Sequence, residues 1–170
     1  MDAAPDDPEP RWLDADEQRQ WYAFAYLLTQ LPAALDAQLQ RRSGISHFEY
    51  LVLSALSMAP ERTLRMSEVA EYAGSTLSRL SNVVARLEKR GWVRRSPDPS
   101  DGRSTLAVLT GDGWDTVVAA APGHVADVRR LVFAPLTKAQ LRQLAAASQR
   151  ILRALEAPCP DDWPAASGRD

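Results

Sequence analysis

The chain is poor in the residues that build disulfide and metal frameworks. Its 170 residues include one cysteine, Cys159, and two histidines, His47 and His124. A lone cysteine closes no internal disulfide and forms no CxxC clamp. A zinc site on two histidines would need carboxylates at a spacing the sequence does not offer. No metal and no cofactor are therefore expected. No apolar run approaches the roughly 18 residues of a membrane span, so no membrane partner is expected. The opening MDAAPDDPEP is acidic and proline-rich, the opposite of a signal peptide's basic and apolar start, which points to a cytoplasmic protein. Phosphate-cradling patterns of the GxGxxG and GxxxxGK(S/T) kinds are missing. So are a nucleophile elbow and a glycine-rich oxyanion loop, which leaves a small hydrolase built on Ser46, His47 and some acid as the weakest alternative.

Net charge is also nearly lacking. Twenty Lys+Arg stand against 22 Asp+Glu, for a net −2 and an isoelectric point near 5.7. As a whole-chain sum this argues against a polyanion binder, because basic surface drives phosphate binding. The distribution changes its meaning. Residues 1–20 hold two basic and seven acidic side chains, and residues 154–170 hold one and four. Between them, residues 75–105 carry Arg79, Arg86, Lys89, Arg90, Arg94, Arg95 and Arg103 against only Glu88, Asp98 and Asp101.

What is present is ordinary globular composition, 45% hydrophobic and 25% charged, enough for one domain or two very small ones. Residues 1–10 and 158–170 read as disordered tails. The first helix spans about Asp14 to Arg42, with Trp21, Phe24, Leu28, Leu31, Leu35 and Leu39 on one face and Pro32 as an expected kink. Ser46 to Glu49 fits a capping box and starts a helix with Phe48, Leu51, Val52, Ala55 and Leu56 inward, closed by Pro60. A short helix, Ser67 to Tyr72, leads through Ala73-Gly74-Ser75 to a longer one, Leu77 to Arg90, with Leu80, Val83 or Val84, and Leu87 as its core stripe. Gly91 stops that helix. Two strands, Trp92 to Ser96 and Thr105 to Leu109, make a hairpin with a long tip at Pro97–Gly102. Thr110 caps a helix to about Val132, with Pro122 as a second kink, and Thr137 to Gln140 boxes the start of the last helix.

A short helix joined by a tight turn to a longer helix is a helix-turn-helix signal, and a hairpin directly after it is a wing. The fold expected is mainly α with a small β-hairpin wing: a winged helix-turn-helix over 46–113, with a helical dimerisation region at 11–45 and 114–157. In such a unit the second helix lies in the DNA major groove. Its exposed face offers Ser78, Arg79, Ser81, Asn82 and Arg86; arginine can pair with guanine edges and asparagine with adenine edges. Ser75 and Thr76 sit where hydroxyls and helix N–H groups can hold phosphate, and Arg94 adds charge on the hairpin. A plain solvated helix face is the competing reading.

From Ile45 to Gly113 the sequence resembles the MarR family of winged-helix regulators. The resemblance rests on Ser46-His47-Phe48-Glu49-Tyr50-Leu51-Val52-Leu53, Arg65-Met66-Ser67-Glu68-Val69-Ala70, Leu87-Glu88-Lys89-Arg90-Gly91-Trp92-Val93-Arg94-Arg95, Asp98-Pro99-Ser100-Asp101-Gly102-Arg103-Ser104 and Leu109-Thr110-Gly111-Asp112-Gly113, in order. It implies a homodimeric regulator, a repressor of a palindromic operator on double-stranded DNA, released by a small phenolic or anionic effector. It also implies that Arg103 enters the minor groove and that Asp101 orients it through an ion pair. Wide apolar faces on the outer helices point independently to a dimer interface, with Trp12, Leu13, Leu27, Leu131, Phe133, Leu136 and Leu152 as candidates. Trp21, Tyr22, Tyr26, His47 and Arg129 are candidates for an effector pocket. Against these stand blander readings: aromatic residues as core, His47 as an exposed cap residue, His124 without a partner, and Cys159 as incidental. A winged helix that binds protein rather than DNA remains the main alternative function.

Overall fold

The computed structural model describes residues 10–157; the two expected tails, apart from Pro10, and Cys159 lie outside the described residues. Helix α1 spans Ala15–Ser43. The Asp14 carboxylate accepts the N–H groups of Asp16 and Glu17 at 2.8 and 2.9 Å, and Gly44, at φ 63, ends the helix in the left-handed region. The helix runs on through Pro32. Helix α2, His47–Met58, starts on the expected box: Ser46 Oγ accepts from Glu49 N–H at 3.1 Å, and the Glu49 carboxylate accepts from Ser46 N–H at 2.8 Å. A tight turn at Pro60–Arg62 leads to strand β1, Thr63–Arg65, and helix α3, Met66–Tyr72. Helix α4, Leu77–Lys89, follows a turn through Gly74 and is capped by Thr76, whose hydroxyl accepts Arg79 N–H at 3.2 Å.

Strand β2 spans Val93–Asp98 and β3 spans Asp101–Leu109. The sheet order is β1-β3-β2, antiparallel throughout, with Thr63 opposite Val108 and Val93 opposite Leu109. This corrects the expected two-stranded hairpin with a long tip. The sheet has three strands, and β2 and β3 close to within two residues, Pro99 and Ser100. Pro97 is tolerated in β2 because β2 is an edge strand, and a register shift between Pro97 and Asp98 absorbs it. Helix α5, Gly111–Val128, also passes its proline, Pro122, and then widens into one π turn, Arg129–Phe133. Helix α6, Lys138–Ala154, is boxed by Thr137 and Gln140.

The core gathers beneath the helix-turn-helix. Ile45, Val52, Leu53, Leu56, Val69, Leu80, Val84 and Leu87 are fully buried, with Val93, Ala107, Leu109 and Val117 closing it from the sheet and α5. Both Val83 and Val84 are inside. In α2 the inward set differs from the expected stripe: Tyr50 and Leu53 are buried while Phe48 and Leu51 are half-buried, because a helix packed on several sides buries more than one face. The α1 stripe holds only at its C-terminal end, where Leu35 and Leu39 are buried; Trp21 and Leu28 are 50% and 55% exposed. A helix of 29 residues is about 43 Å long, longer than the core it crosses. Most of its first half is left uncovered among the described residues, and none of the residues of α6 is buried there.

One backbone approach joins the wing to α5. Thr110 N–H donates to the Trp92 carbonyl at 3.0 Å and Thr110 Oγ1 to the Gly91 carbonyl at 2.7 Å. This draws Gly113 so close that a Cβ there would stand 2.1 Å from the Trp92 oxygen.

Candidate nucleic-acid interface

Burying Leu80, Val83, Val84 and Leu87 fixes the rotation of α4. The same helical period then turns Ser78, Arg79, Asn82 and Arg86 outward, all exposed, while Ser81 is half-buried. Two flanks result. On one, Arg79, Asn82 and Arg86 border a groove of about 620 Å³ shared with Ser46 and Phe48 of the α2 start. The Arg79 guanidinium lies 4.7 Å from the Phe48 ring centre, and Arg86 Nε lies 3.5 Å from Glu49 Oε1. On the other flank, Leu77 and Ser81 face the wing across a cleft of about 240 Å³. Thr76 holds the helix start, and Ser75 Oγ donates to the Thr76 carbonyl at 3.2 Å.

The wing is set by carboxylates. Asp98, only 7% exposed, accepts from Arg65 Nε at 2.8 Å, from Ser100 N–H at 2.8 Å and from Ser100 Oγ at 2.7 Å. The Ser100 hydroxyl, together with Arg65, holds its carboxyl down at about 2; the same pairing raises Arg65 above the ordinary arginine range. Asp101 accepts the Ser104 hydroxyl at 2.7 Å and the backbone N–H of Arg103 at 3.1 Å, and these bonds, the Ser104 one first, lower its carboxyl too. The implied Asp101–Arg103 ion pair is not formed: Asp101 holds the arginine's backbone, and the guanidinium makes no ion pair among the described residues. Two donors, the Ser104 hydroxyl and the Arg103 backbone N–H, occupy the carboxylate instead.

Not every cation of the basic segment is free to face a ligand. Arg95 is held by Glu88, with Nε to Oε2 at 2.8 Å and N–H to Oε1 at 2.9 Å, and Arg95 lowers the Glu88 carboxyl. Arg90 stacks 3.5 Å from the Trp92 ring centre and donates to the Gly44 carbonyl at 3.1 Å. Arg94 and Arg103 remain exposed on the wing. Arg65, Asp98 and Leu77 were not among the candidates read from sequence. The first two pair across 33 positions, beyond the reach of any local pattern, whereas Leu77 could have been found as an apolar residue off the α4 core stripe.

The effector candidates do not converge. His47 is half-buried, its N–H donating to Asp36 Oδ1 at 2.7 Å. Its ring lies 5.8 Å from that of His124, which packs 4.4 Å from the Tyr50 ring. His47 is thus no exposed cap, and His124 is not without neighbours. Arg129 and His124 border an apolar cavity of about 290 Å³ with Val125, Val128 and Phe133. Trp21, Tyr22 and Tyr26 stand elsewhere, 50%, 65% and 67% exposed; even Tyr26 is about 15 Å along α1 from Asp36. Of the interface candidates, Trp12, Leu13, Leu27 and Phe133 are exposed, at 82%, 46%, 46% and 51%, and Leu131, Leu136 and Leu152 are half-buried.

A helix-turn-helix with a polar, outward-turned second helix, followed by a hairpin on a three-stranded sheet, defines a winged-helix protein. The sequence model of the MarR family matches residues 43–104. Sco3205, a MarR family transcriptional regulator from Streptomyces coelicolor solved in complex with DNA, is 46% identical; the match covers 93% of this chain and 98% of that one, with a TM-score of 0.84. AbsC, a MarR family transcriptional regulator from the same organism, is 35% identical over 86% of this chain and 99% of its own, with a TM-score of 0.82. The transcriptional regulator HosA of Escherichia coli O111:H- is 36% identical over 74 residues, 44% of this chain and 53% of HosA. The chain spans little more than half the length of the curated relatives it matches, from 54% to 59% in three of them. The chain belongs to the MarR family of transcriptional regulators. No helix among the described residues is long and apolar enough to cross a membrane.

Proposed function

We propose that the protein is a cytoplasmic, homodimeric repressor that binds a palindromic operator in double-stranded DNA and has no enzymatic activity. The observation that carries this reading is the outward set of α4, Ser78, Arg79, Asn82 and Arg86, with the half-buried Ser81, beside the exposed wing arginines Arg94 and Arg103. Hydrogen-bonding side chains at the start of the recognition helix would read base edges, Ser75 and Thr76 would meet phosphate, and Arg103 would reach the minor groove. A surface for protein partners has no need of two separated arginine elements aimed the same way, which disfavours the interaction-module alternative. Support for the dimer comes from the uncovered apolar side chains of α1 and α6 and from Phe133, a surface of the kind that marks an interface; two-fold pairing would present two recognition helices to two half-sites.

Release by a small phenolic or anionic effector is part of the proposal. It is supported by the cavity that joins the apolar Val125, Val128 and Phe133 to the Arg129 cation beside the His47–His124 pair. The test of DNA binding is selection from a random-sequence duplex pool at two salt concentrations. Enrichment of a symmetric sequence whose affinity falls steeply with salt supports the reading. Binding of no duplex even at low salt would favour the protein-interaction alternative.

A further inference from the structure

Leu77, the first residue of α4, is 53% exposed. Every other large apolar side chain between residues 46 and 110 is buried or half-buried. The remaining exposed ones among the described residues belong to α1, α5, α6 and the segments flanking them. Leu77 is therefore the one apolar projection on an otherwise polar and cationic face, and it lines the cleft with Ser81, Arg103 and Thr105.

Nothing in the fold requires it there. Thr76 already caps the helix, and the inward positions are filled by Leu80 and Val84. Helical side chains lean toward the helix N-terminus, so a residue at the first position reaches ahead of the helix, and this is the end that meets base edges in a winged helix-turn-helix. A leucine there can donate and accept no hydrogen bond. The major groove presents one apolar group to such a side chain, the 5-methyl of thymine.

We propose that Leu77 is a specificity-determining residue that reads a thymine methyl, on the flank of α4 facing the wing. This rests on the DNA-binding reading above. The base would lie beside those read by Arg79 and Asn82, and the preference would be for thymine over cytosine at one position of the site.

The test uses the full chain and a duplex it enriches from a random-sequence pool. Each thymine is replaced in turn by deoxyuridine, which removes the methyl and nothing else. At one position in each half-site the wild-type protein should lose about fourfold in affinity, the worth of one buried methyl-sized group. Leu77→Ala, which removes the contact from both half-sites, should bind the parent duplex about sixteenfold more weakly and be indifferent to that replacement, and Leu77→Met should recover the discrimination. An unchanged melting temperature in both variants confirms that the exposed position was altered without unfolding. An enriched duplex with no thymine position whose deoxyuridine sensitivity Leu77→Ala removes overturns the role of Leu77 and leaves DNA binding intact. Failure to enrich any sequence overturns DNA binding, and the role of Leu77 with it.

Discussion

The Arg65 guanidinium and the Asp98 carboxylate meet at 2.8 Å across 33 residues of chain, joining the start of α3 to the base of the wing tip. Arg65 also reaches Ser100 Oγ at 3.3 Å, so the turn between β2 and β3 is held against the helix-turn-helix rather than left to swing. The wing's aim relative to α4 is thereby set before any DNA is met, which lowers the ordering cost of binding.

Asp98→Asn is therefore expected to weaken operator binding while keeping the helical content, since Leu77 to Lys89 packs independently of the wing tip. The acid response gives a second readout. A carboxyl held near 2 against an ordinary 3.8 stabilises the fold fully above pH 3.8, and that contribution is lost as pH falls through about 2. The gap in melting temperature between wild type and Asp98→Asn should narrow on acidification from pH 5 to pH 2. A constant gap would mean that the ion pair does not hold the wing.

The His47–His124 pair makes a separate prediction at higher pH. Burial lowers both imidazoles; the neighbouring His47 lowers His124 further, while Asp36 and Asp127 oppose the shifts. A histidine lowered in the folded state stabilises the fold above its ordinary value near 6.5, and the contribution is lost as pH falls toward the lowered values. The melting temperature should drop between pH 7.5 and pH 5, and His124→Phe, which keeps a ring against Tyr50, should flatten that slope. An equally steep slope in the variant would place the titration elsewhere.

Gly113→Ala tests the junction of wing and α5. A Cβ 2.1 Å from a backbone oxygen cannot be accommodated by a rotamer change, so β2 and α5 must separate. A loss of about 2–3 kcal/mol is expected in denaturant unfolding, in the range of overpacking penalties. Gly111→Ala, two residues earlier with open space around it, is the control and should stay within about 0.5 kcal/mol.

Arg103→Ala addresses the wing directly. With its guanidinium free of ion pairs among the described residues, the side chain has little to lose in stability. The variant should melt with the wild type, bind the operator more weakly, and show a salt dependence shallower by about two counterions, one for each protomer. Unchanged affinity would remove the wing arginine from the interface.

Much of the architecture is legible in the sequence. The boxes at Ser46–Glu49 and Thr137–Gln140 each carry both halves of a reciprocal cap within four residues, and the stripe in α4 holds over about two turns, so local chemistry and burial agree. Strand β1 was missed because Thr63–Arg65 is too short to show alternation; it exists only because β3 lies beside it. The wing was drawn too short because Pro97 reads as a breaker, and only its place on a sheet edge excuses it. The same limit governed the site. Ser78, Arg79, Asn82 and Arg86 follow from helical period alone, whereas Arg65–Asp98 and His47–His124 are pairings across the fold that no spacing announces. The aromatic residues of α1 looked like a pocket because periodicity says which residues share a face, not what covers it.

The strand order carries a consequence for biosynthesis. Strand β1 pairs with β3 alone, and everything between them, including the whole helix-turn-helix, forms the contents of one loop. Roughly 45 residues separate Thr63 from Val108, and at about 5–20 residues per second a ribosome needs roughly 2–9 s to supply the missing strand. Until that strand is made, α3 and α4 lack the sheet that closes them. A nascent chain thus closes its recognition surface only after β3 is made, and a transcript truncated before the codon for Asp101 yields a helix-turn-helix sequence with no strand to lock it.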